Sequence, residues 1–385
     1  MNDVMRTLRR ARPAELDPDA PVDERLRHAE LARAMAAGPA PDRLVAATRT
    51  TRKRFRPIWG VGLAGAVAAG TLAALILVPG GEDETGPPKN EGPGRTQPVD
   101  ARTVLLAAAD KAGGKPSGRR AYWYQSSIES HTSMVGEPGS SYAVISRTKY
   151  ETWTPTDPKG KVLNRRQDLG TKPATPKDAA AWRRAGSPTT FTAYLVAPPG
   201  SKARKKFEGT TAPGPVEMES SRLHEGAVAW FGRNMTMKEL QALPSDPKRL
   251  KARLMRYYEG HDTEGDRPMN ADRWLYEVAG GLLTGFPVKP EVRAGAYRML
   301  ASLPLVRSLG QVKDPEGRPG HAIAIDHKEE KGVVRDQLII DLGTGDALAT
   351  TLTLLKPAAG VDFPAGGTLG SGVTLAAEWT DSVPR

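Results

Sequence analysis

The sequence contains no cysteine. Disulfides, zinc–thiolate sites, iron–sulfur clusters and a cysteine nucleophile are therefore excluded. Histidine is also scarce, and none of the six histidines stands in a His-x-x-x-His or His-Glu-x-x-His spacing, so no metal site is predicted. The chain has neither a Gly-x-Ser-x-Gly nucleophile motif nor a phosphate-binding glycine loop followed by lysine. We therefore predict no catalytic residue, no cofactor and no enzymatic activity.

Positive charge is in excess, but it is not concentrated. The net charge is +11 over 385 residues, and aromatic residues make up only 6% of the chain. Nucleic-acid-binding surfaces combine dense basic stripes with interleaved aromatic residues, and neither is present, so we expect no nucleic-acid partner. The sharpest basic run, KARKK at 202–206, is interpreted as a solvated loop, with contact to an anionic wall polymer or lipid headgroups as the alternative.

One long hydrophobic run is present, from Ile58 to Val78, without a single charged residue. A helix of that length rises about 31 Å, which matches a hydrocarbon core of about 30 Å. Basic residues precede the run and acidic residues follow it, which predicts a cytoplasmic N-terminus and an exported C-terminal part. A buried core helix and a cleaved signal are the alternatives. The run is longer than a signal's hydrophobic region and 57 residues precede it, so we expect an uncleaved single-pass anchor.

Composition divides the chain around this run. Residues 1–57 are expected to be a short cytoplasmic tail, either partly disordered or carrying a helix that docks on a cytoplasmic protein partner. Residues 79–98 are rich in proline and glycine, as is typical of a solvated linker. Residues 99–385 are expected to form the exported domain.

The exported domain is predicted to have an α+β fold with antiparallel strands. A helix capped by Asp100 is followed by a three-strand meander, a short helix after Thr175, a helical middle and a second group of strands. Thr236 and Glu239 form a capping-box pattern at the first helix of the middle region. The two strand groups are expected to build one curved sheet, with the helices on its concave side. Residues 186–233 stay unassigned apart from a strand at 227–231.

Three weak patterns are interpreted as structural. Two Ser-x-x-Lys spacings occur, at Ser146 and Ser245, but the first lies in a predicted strand and the second serine precedes a helix cap. The acidic segment 261–266 lacks the terminal bidentate glutamate of a calcium loop, so we interpret it as a polar interhelical loop. The glycine-rich segment 366–372 is predicted to be a flexible turn between two strands.

Several segments resemble a family of actinobacterial single-pass membrane proteins of unknown function. They are AYWYQSSIES with ETWTPTDPKG, MTMKELQALPSDPKRLKARL, GAYRMLASLP, GRPGHAIAID and DQLIIDLGTGDAL. The resemblance covers the predicted span and residues 100–355, and it implies an exported domain without assigning any functional residue. The layout is also similar to membrane-anchored anti-sigma factors, although His28 stands without the cysteines of their zinc-binding form.

Together these features predict a plasma-membrane protein of the cell envelope, anchored in the bilayer through residues 58–78. Its expected role is that of a non-enzymatic sensor or binding module that signals through the tail. The alternative is an exported half-barrel that binds a lipid or wall ligand, and an exported hydrolase is the third hypothesis. The sequence predicts no oligomeric state.

Overall fold

The computed structural model describes residues 99–137, 141–200, 206–263 and 267–384. Within these ranges no helix combines the length and the apolar character needed to cross a bilayer. The predicted anchor at 58–78, the tail at 1–57 and the linker at 79–98 all lie outside the described residues.

The first part of the domain is one helix followed by a strand meander, as predicted. The elements are α1 (Ala101–Gly113), β1 (Tyr122–Val135), β2 (Tyr142–Pro155) and β3 (Lys161–Pro173). Asp100 caps α1, because its carboxylate accepts a hydrogen bond of 3.0 Å from the Thr103 amide. The three strands pair antiparallel in chain order.

The next segment contains four strands that the sequence did not predict. Its elements are α2 (Pro176–Arg184), β4 (Thr190–Leu195), β5 (Lys206–Thr210), β6 (Val216–Arg222), β7 (Ala227–Trp230) and β8 (Asn234–Thr236). The predicted helix after Thr175 and the predicted strand at 227–231 are confirmed. The prediction missed β4, β5, β6 and β8 because they are short, prolines separate the first three, and β6 is mostly polar and exposed.

Four helices form the middle of the domain: α3 (Met237–Gln241), α4 (Pro247–Leu254), α5 (Ala271–Thr284) and α6 (Pro290–Leu300). The predicted capping box is confirmed, since Thr236 Oγ1 accepts from the Glu239 amide at 3.2 Å and the Glu239 carboxylate accepts from the Thr236 amide at 2.8 Å.

The C-terminal part returns to strands: β9 (Arg307–Lys313), β10 (Pro319–Glu329), β11 (Gly332–Asp341), β12 (Asp346–Pro357) and β13 (Gly367–Thr380). The prediction of a flexible turn at 366–372 is wrong, because residues 367–372 open β13. Gly370 and Gly372 pair with β12 on one side and with β1 on the other. Ladder hydrogen bonds on both edges outweigh the low strand propensity of glycine.

Both strand groups belong to one antiparallel sheet, in the order β6-β3-β2-β1-β13-β12-β11-β10-β9, with β4 and β5 attached to β1. The pairing of β1 with β13 joins the N-terminal group to the C-terminal group and runs from Tyr122–Thr380 to His131–Gly370. Arg147 on β2 forms a salt bridge with Glu316, in the turn before β10. Five interstrand steps separate these strands, about 24 Å in a flat sheet. Two side chains cannot span that distance, so the sheet is curved.

The helices pack on one face of this sheet. Ile323, Ile325, Leu338 and Ile340 contribute that face to the main hydrophobic core, where Trp274 and Tyr297 are at most 1% exposed. Alternate residues on the same strands point to the opposite face, as strand geometry requires. There a second buried row crosses five strands: Ile128, Val373, Ala349, Ile339 and Ala322.

Two helical glycines give a matched test of this packing. A Cβ at Gly295 in α6 would lie 2.3 Å from the Ser245 carbonyl oxygen, whereas a Cβ at Gly280 in α5 would meet nothing within 4 Å. We expect Gly295→Ala to lower the free energy of unfolding by about 1–3 kcal/mol, because backbone atoms must separate. Gly280→Ala should raise it by about 0.5–1 kcal/mol through helix propensity. Urea unfolding of the two full-length variants measures both, and equal signs would contradict this packing.

Candidate functional site

A cleft of about 150 Å³ lies between the sheet and the C-terminal end of α5. We call it the Glu129 cleft. It is formed by four neighbouring strands and the segment that follows α5. Its lining consists of Gln125, Ser127, Glu129, His131, Tyr150, Thr152, Gly281, Thr284, Phe286, Thr350, Ser371, Gly372, Val373 and Thr374.

Strand alternation places the β1 side chains in the cleft. Residues two apart on a strand share a face, so Gln125, Ser127, Glu129 and His131 form one polar row. Trp123 begins the same row and is 3% exposed. Its indole Nε1 donates a hydrogen bond of 2.7 Å to the Gly285 carbonyl, which ties β1 to the end of α5.

The end of α5 forms the opposite wall. Thr284 Oγ1 donates to the Gly280 carbonyl at 2.9 Å, and Thr374 Oγ1 on β13 donates to the Thr284 carbonyl at 3.3 Å. The Phe286 ring packs against Gly281, where a Cβ would lie 2.7 Å from Cε2 of that ring. These contacts hold the wall against the sheet.

Gly372 opens the floor of the cleft. Glu129 pairs with Gly372 across the β1–β13 contact, and Gly372 pairs with Thr350 on β12. A Cβ at Gly372 would lie 3.3 Å from Thr350 Oγ1. Because residue 372 has no side chain, the floor of the cleft stays open beside Thr350.

Glu129 is half-buried and has neither a hydrogen bond nor an ion pair to its carboxylate among the described residues. Burial alone raises the pKa of Glu129 to about 7. Burial also lowers the pKa of His131, which keeps that imidazole neutral at pH 7. Two titratable groups without partners among the described residues thus face the same space, a pattern that is concentrated at functional sites.

Glu151, on the other face of β2, shows the opposite arrangement. Burial opposes its ionisation, but the Tyr124 hydroxyl donates to the carboxylate at 2.8 Å, and Lys149 and Arg165 lie at 3.4 Å and 2.6 Å. These groups outweigh burial and lower the pKa of Glu151. The two glutamates therefore differ in their partners.

A cluster of charged side chains joins α5 to the last strands. Arg273 on α5 bonds to Glu277 at 3.0 Å and to Glu329 at 2.9 Å, and His327 Nε2 lies 2.6 Å from Asp336 Oδ2. Burial and the nearby Asp336 charge raise the pKa of Glu277. Because its members partner one another, we interpret this cluster as the attachment of α5 to β10 and β11.

The weak sequence motifs are not brought together by the fold. Ser146 Oγ lies 2.9 Å from Thr171 Oγ1, and Ser245 precedes the cap Asp246 as predicted. Asp262 pairs with Arg267 at 3.0 Å, while residues 264–266 lie outside the described part. The basic run is also outside it apart from Lys206. No group of three or more His, Asp or Glu side chains in the described ranges is placed to hold a metal ion.

The aromatic residues that followed the first predicted helix pack against neighbouring strands. The ring centroids of Tyr124 and Trp153 are 4.9 Å apart, and those of Trp123 and Trp379 are 5.1 Å apart. Both pairs lie directly opposite each other on neighbouring strands, which is typical of cross-strand packing.

Sequence reasoning missed Glu129 and His131. Their only local signal is the polar alternation QxSxExH at 125–131, which is also typical of a solvent-facing strand. Only the packing of α5 over this face distinguishes the two cases.

No family model matches the chain, and no curated protein matches it. The resemblance to actinobacterial membrane proteins therefore stays a prediction.

The pH dependence of stability provides a test of the Glu129 environment. The pKa of Glu129 is raised from 4.5 to about 7 on folding. The unfolded chain therefore loses this proton first, and stability should fall as the pH rises from about 4.5 to 7, by on the order of 3 kcal/mol. Glu129→Gln should remove the Glu129 contribution to this fall and keep the separate contribution of Glu277, whose pKa is also raised. Urea unfolding at pH 4.5, 6 and 8 measures it.

Glu151→Gln is the matched control. Its folded pKa is lowered, so the ionised Glu151 stabilises the fold above its unfolded pKa, and this contribution is lost as the pH falls. The variant should therefore be less stable than the parent at pH 8. If Glu129→Gln and Glu151→Gln shifted the pH profile in the same direction, the assignment of Glu129 as unpartnered would be wrong.

Proposed function

We propose that this chain is a membrane-anchored, non-enzymatic sensor of the cell envelope whose exported domain binds a small polar ligand in the Glu129 cleft. The membrane setting rests on the uncharged run at 58–78, its basic N-terminal flank and the resemblance to single-pass envelope proteins. In this proposal the ligand binds outside and the tail at 1–57 contacts a cytoplasmic partner.

One observation carries the binding role. The Glu129 carboxylate faces a covered cleft with no partner from the described residues. An ionisable group that is shielded from water without a partner destabilises a protein, and such groups are concentrated at functional sites. Rigid surroundings also favour binding, because β1, β13 and α5 are held together by the Trp123 and Thr374 hydrogen bonds.

The same cleft argues against hydrolysis. Ser127 and His131 lie on one strand face four residues apart, a separation of about 13 Å along the strand. A serine nucleophile needs its base within hydrogen-bond reach, about 2.6–3.2 Å. No hydrogen bond joins His131 to a hydroxyl within the described ranges. A binding role needs no such contact.

A second cavity favours the lipid-binding alternative. It has a volume of about 510 Å³ and lies between the ends of β1 and β2 and the loop before β13. Its apolar lining includes Met134, Ala143, Val361 and Phe363. The size falls in the usual range for ligand pockets, about 300–1,000 Å³. The Glu129 cleft is the stronger candidate because its charged group has no partner in the part of the chain that the structure describes.

Single-cysteine labelling tests the topology, and the chain provides a background with no cysteine. In intact cells a membrane-impermeant maleimide should label Ser117→Cys, which lies in an exposed loop of the domain. Thr7→Cys in the tail should be labelled only after lysis. Labelling of both in intact cells, or of neither, would contradict the proposed orientation.

Ligand extraction tests the binding role. We expect the full-length protein, incubated with envelope extract and washed, to release a small polar molecule detectable by mass spectrometry. Ser127→Trp should fill the Glu129 cleft and reduce recovery at least about tenfold, the effect of losing about 1.4 kcal/mol. Ser117→Trp, outside the cleft, should leave it unchanged.

The same extraction separates the two cavities. Recovery of a lipid that Val361→Trp abolishes and Ser127→Trp preserves would favour the alternative. Release of nothing by the parent protein would refute the proposed binding role.

A further inference from the structure

We infer that the Glu129 cleft takes a small amine, with the ammonium group of the ligand paired to the Glu129 carboxylate. This inference rests on the proposed binding function and names the chemical class of its ligand. It follows from the charge, the hydrogen-bond acceptors and the size of the cleft.

The lining of the cleft contains a negatively charged group and no lysine or arginine. Among the fourteen residues that line the cleft, Glu129 is the only carboxylate and none is lysine or arginine. Two cations near the cleft are engaged with other groups: the Arg293 guanidinium lies 5.3 Å from the Trp123 ring centroid and donates to the Phe286 carbonyl at 3.3 Å. Arg166, which is paired with Tyr150 across β2 and β3, forms a salt bridge of 3.0 Å with Glu217. No charged group contributes to the pKa shift of Glu129, which has burial as its sole cause. An incoming cation would therefore supply the missing counter-charge.

The elements around Glu129 provide few other titratable groups. β1 presents His131 and β2 presents Tyr150, whereas β12, β13 and α5 contribute only hydroxyl groups, backbone and apolar atoms to the lining. His131 is neutral at pH 7 because burial lowers its pKa. Near neutral pH the electrostatic character of the cleft is thus set by Glu129.

The remaining lining atoms suit an ammonium group. An ammonium group has three N–H donors and no acceptor. The cleft provides the carboxylate, a neutral imidazole nitrogen and the hydroxyl oxygens of residues such as Ser127 and Thr350. The Phe286 and Tyr150 rings also line the space, and aromatic faces attract cations.

Other ligand classes fit less well. An anion would meet the Glu129 charge without a compensating cation. A neutral polyol would satisfy hydrogen bonds but leave the ionised carboxylate without a counter-charge. A calcium ion takes six to eight oxygen ligands and usually several carboxylates, whereas this lining has one.

The volume limits the size of the ligand group. A cavity of about 150 Å³ accommodates a molecule the size of benzene, and the Glu129 cleft has about this volume. The ligand, or the part of it that enters, is therefore a short amine of only a few heavy atoms.

Three probes of nearly equal size test the charge preference: ethanolamine, ethylene glycol and glycolate. We expect calorimetric titration of the full-length protein at pH 8 to give ethanolamine a Kd at least about tenfold below that of either other probe. Because binding requires ionised Glu129, its affinity should rise about tenfold between pH 6 and pH 8, following the ionised fraction of a group with a pKa of about 7.

Two variants assign the binding to Glu129. Glu129→Gln should remove the ethanolamine preference and its pH dependence, whereas Glu129→Asp, which keeps the charge, should retain both. Glu151→Gln, on the opposite face of the neighbouring strand, is the matched control and should bind like the parent. Unfolding midpoints of all three establish that each variant is folded.

The outcomes separate this inference from the proposed function. Equal or tighter binding of ethylene glycol or glycolate, lost in Ser127→Trp, would overturn the amine inference and leave the binding function standing. Ethanolamine binding that persists in folded Glu129→Gln would also overturn it, as would the absence of binding by all three probes. The extraction experiment decides the binding function independently.

Discussion

The pairing of β1 with β13 is the constraint on which the rest of the domain depends. It joins strands from opposite ends of the folded region, in a register from Tyr122–Thr380 to His131–Gly370. Without it the chain would form two separate sheets. The Glu129 cleft lies directly on this pairing, because β1 supplies the carboxylate and imidazole while β13 supplies Gly372 beside them. The same strand pairing therefore builds both the single sheet and the candidate site.

The helices determine which residues of this strand pairing are covered by the core and which line the cleft. α5 and α6 cover the C-terminal strands with a tightly filled core, and α5 ends where the polar row of β1 begins. At that end the layer that covers the cleft consists of Gly281, Thr284 and Phe286. The boundary leaves room over Glu129 and shields it partly from water. A polar row that would be unremarkable on an open sheet thereby becomes a sheltered site.

Local chemistry made much of the fold predictable. Asp100 and the Thr236–Glu239 capping box place helix starts through bonds within a few residues, and the long alternating strands also follow local periodicity. The short strands β4–β6 and the glycine-rich start of β13 escaped prediction, since partners distant in sequence impose their strand conformation. Glu129 and His131 escaped for the same reason. Their alternation is visible in the sequence, but the covering helix and the missing counter-charge depend on long-range packing.

The position of β13 at the end of the domain has a consequence for biogenesis. β1 and β2 emerge early in synthesis and form a hairpin, but residues 122–131 of β1 keep an open edge until the last strand arrives. Such an edge is a template for intermolecular pairing. A C-terminal truncation that removes β13 would leave this edge of β1 permanently unpaired. The sheet is therefore protected from intermolecular pairing only once the last strand is in place.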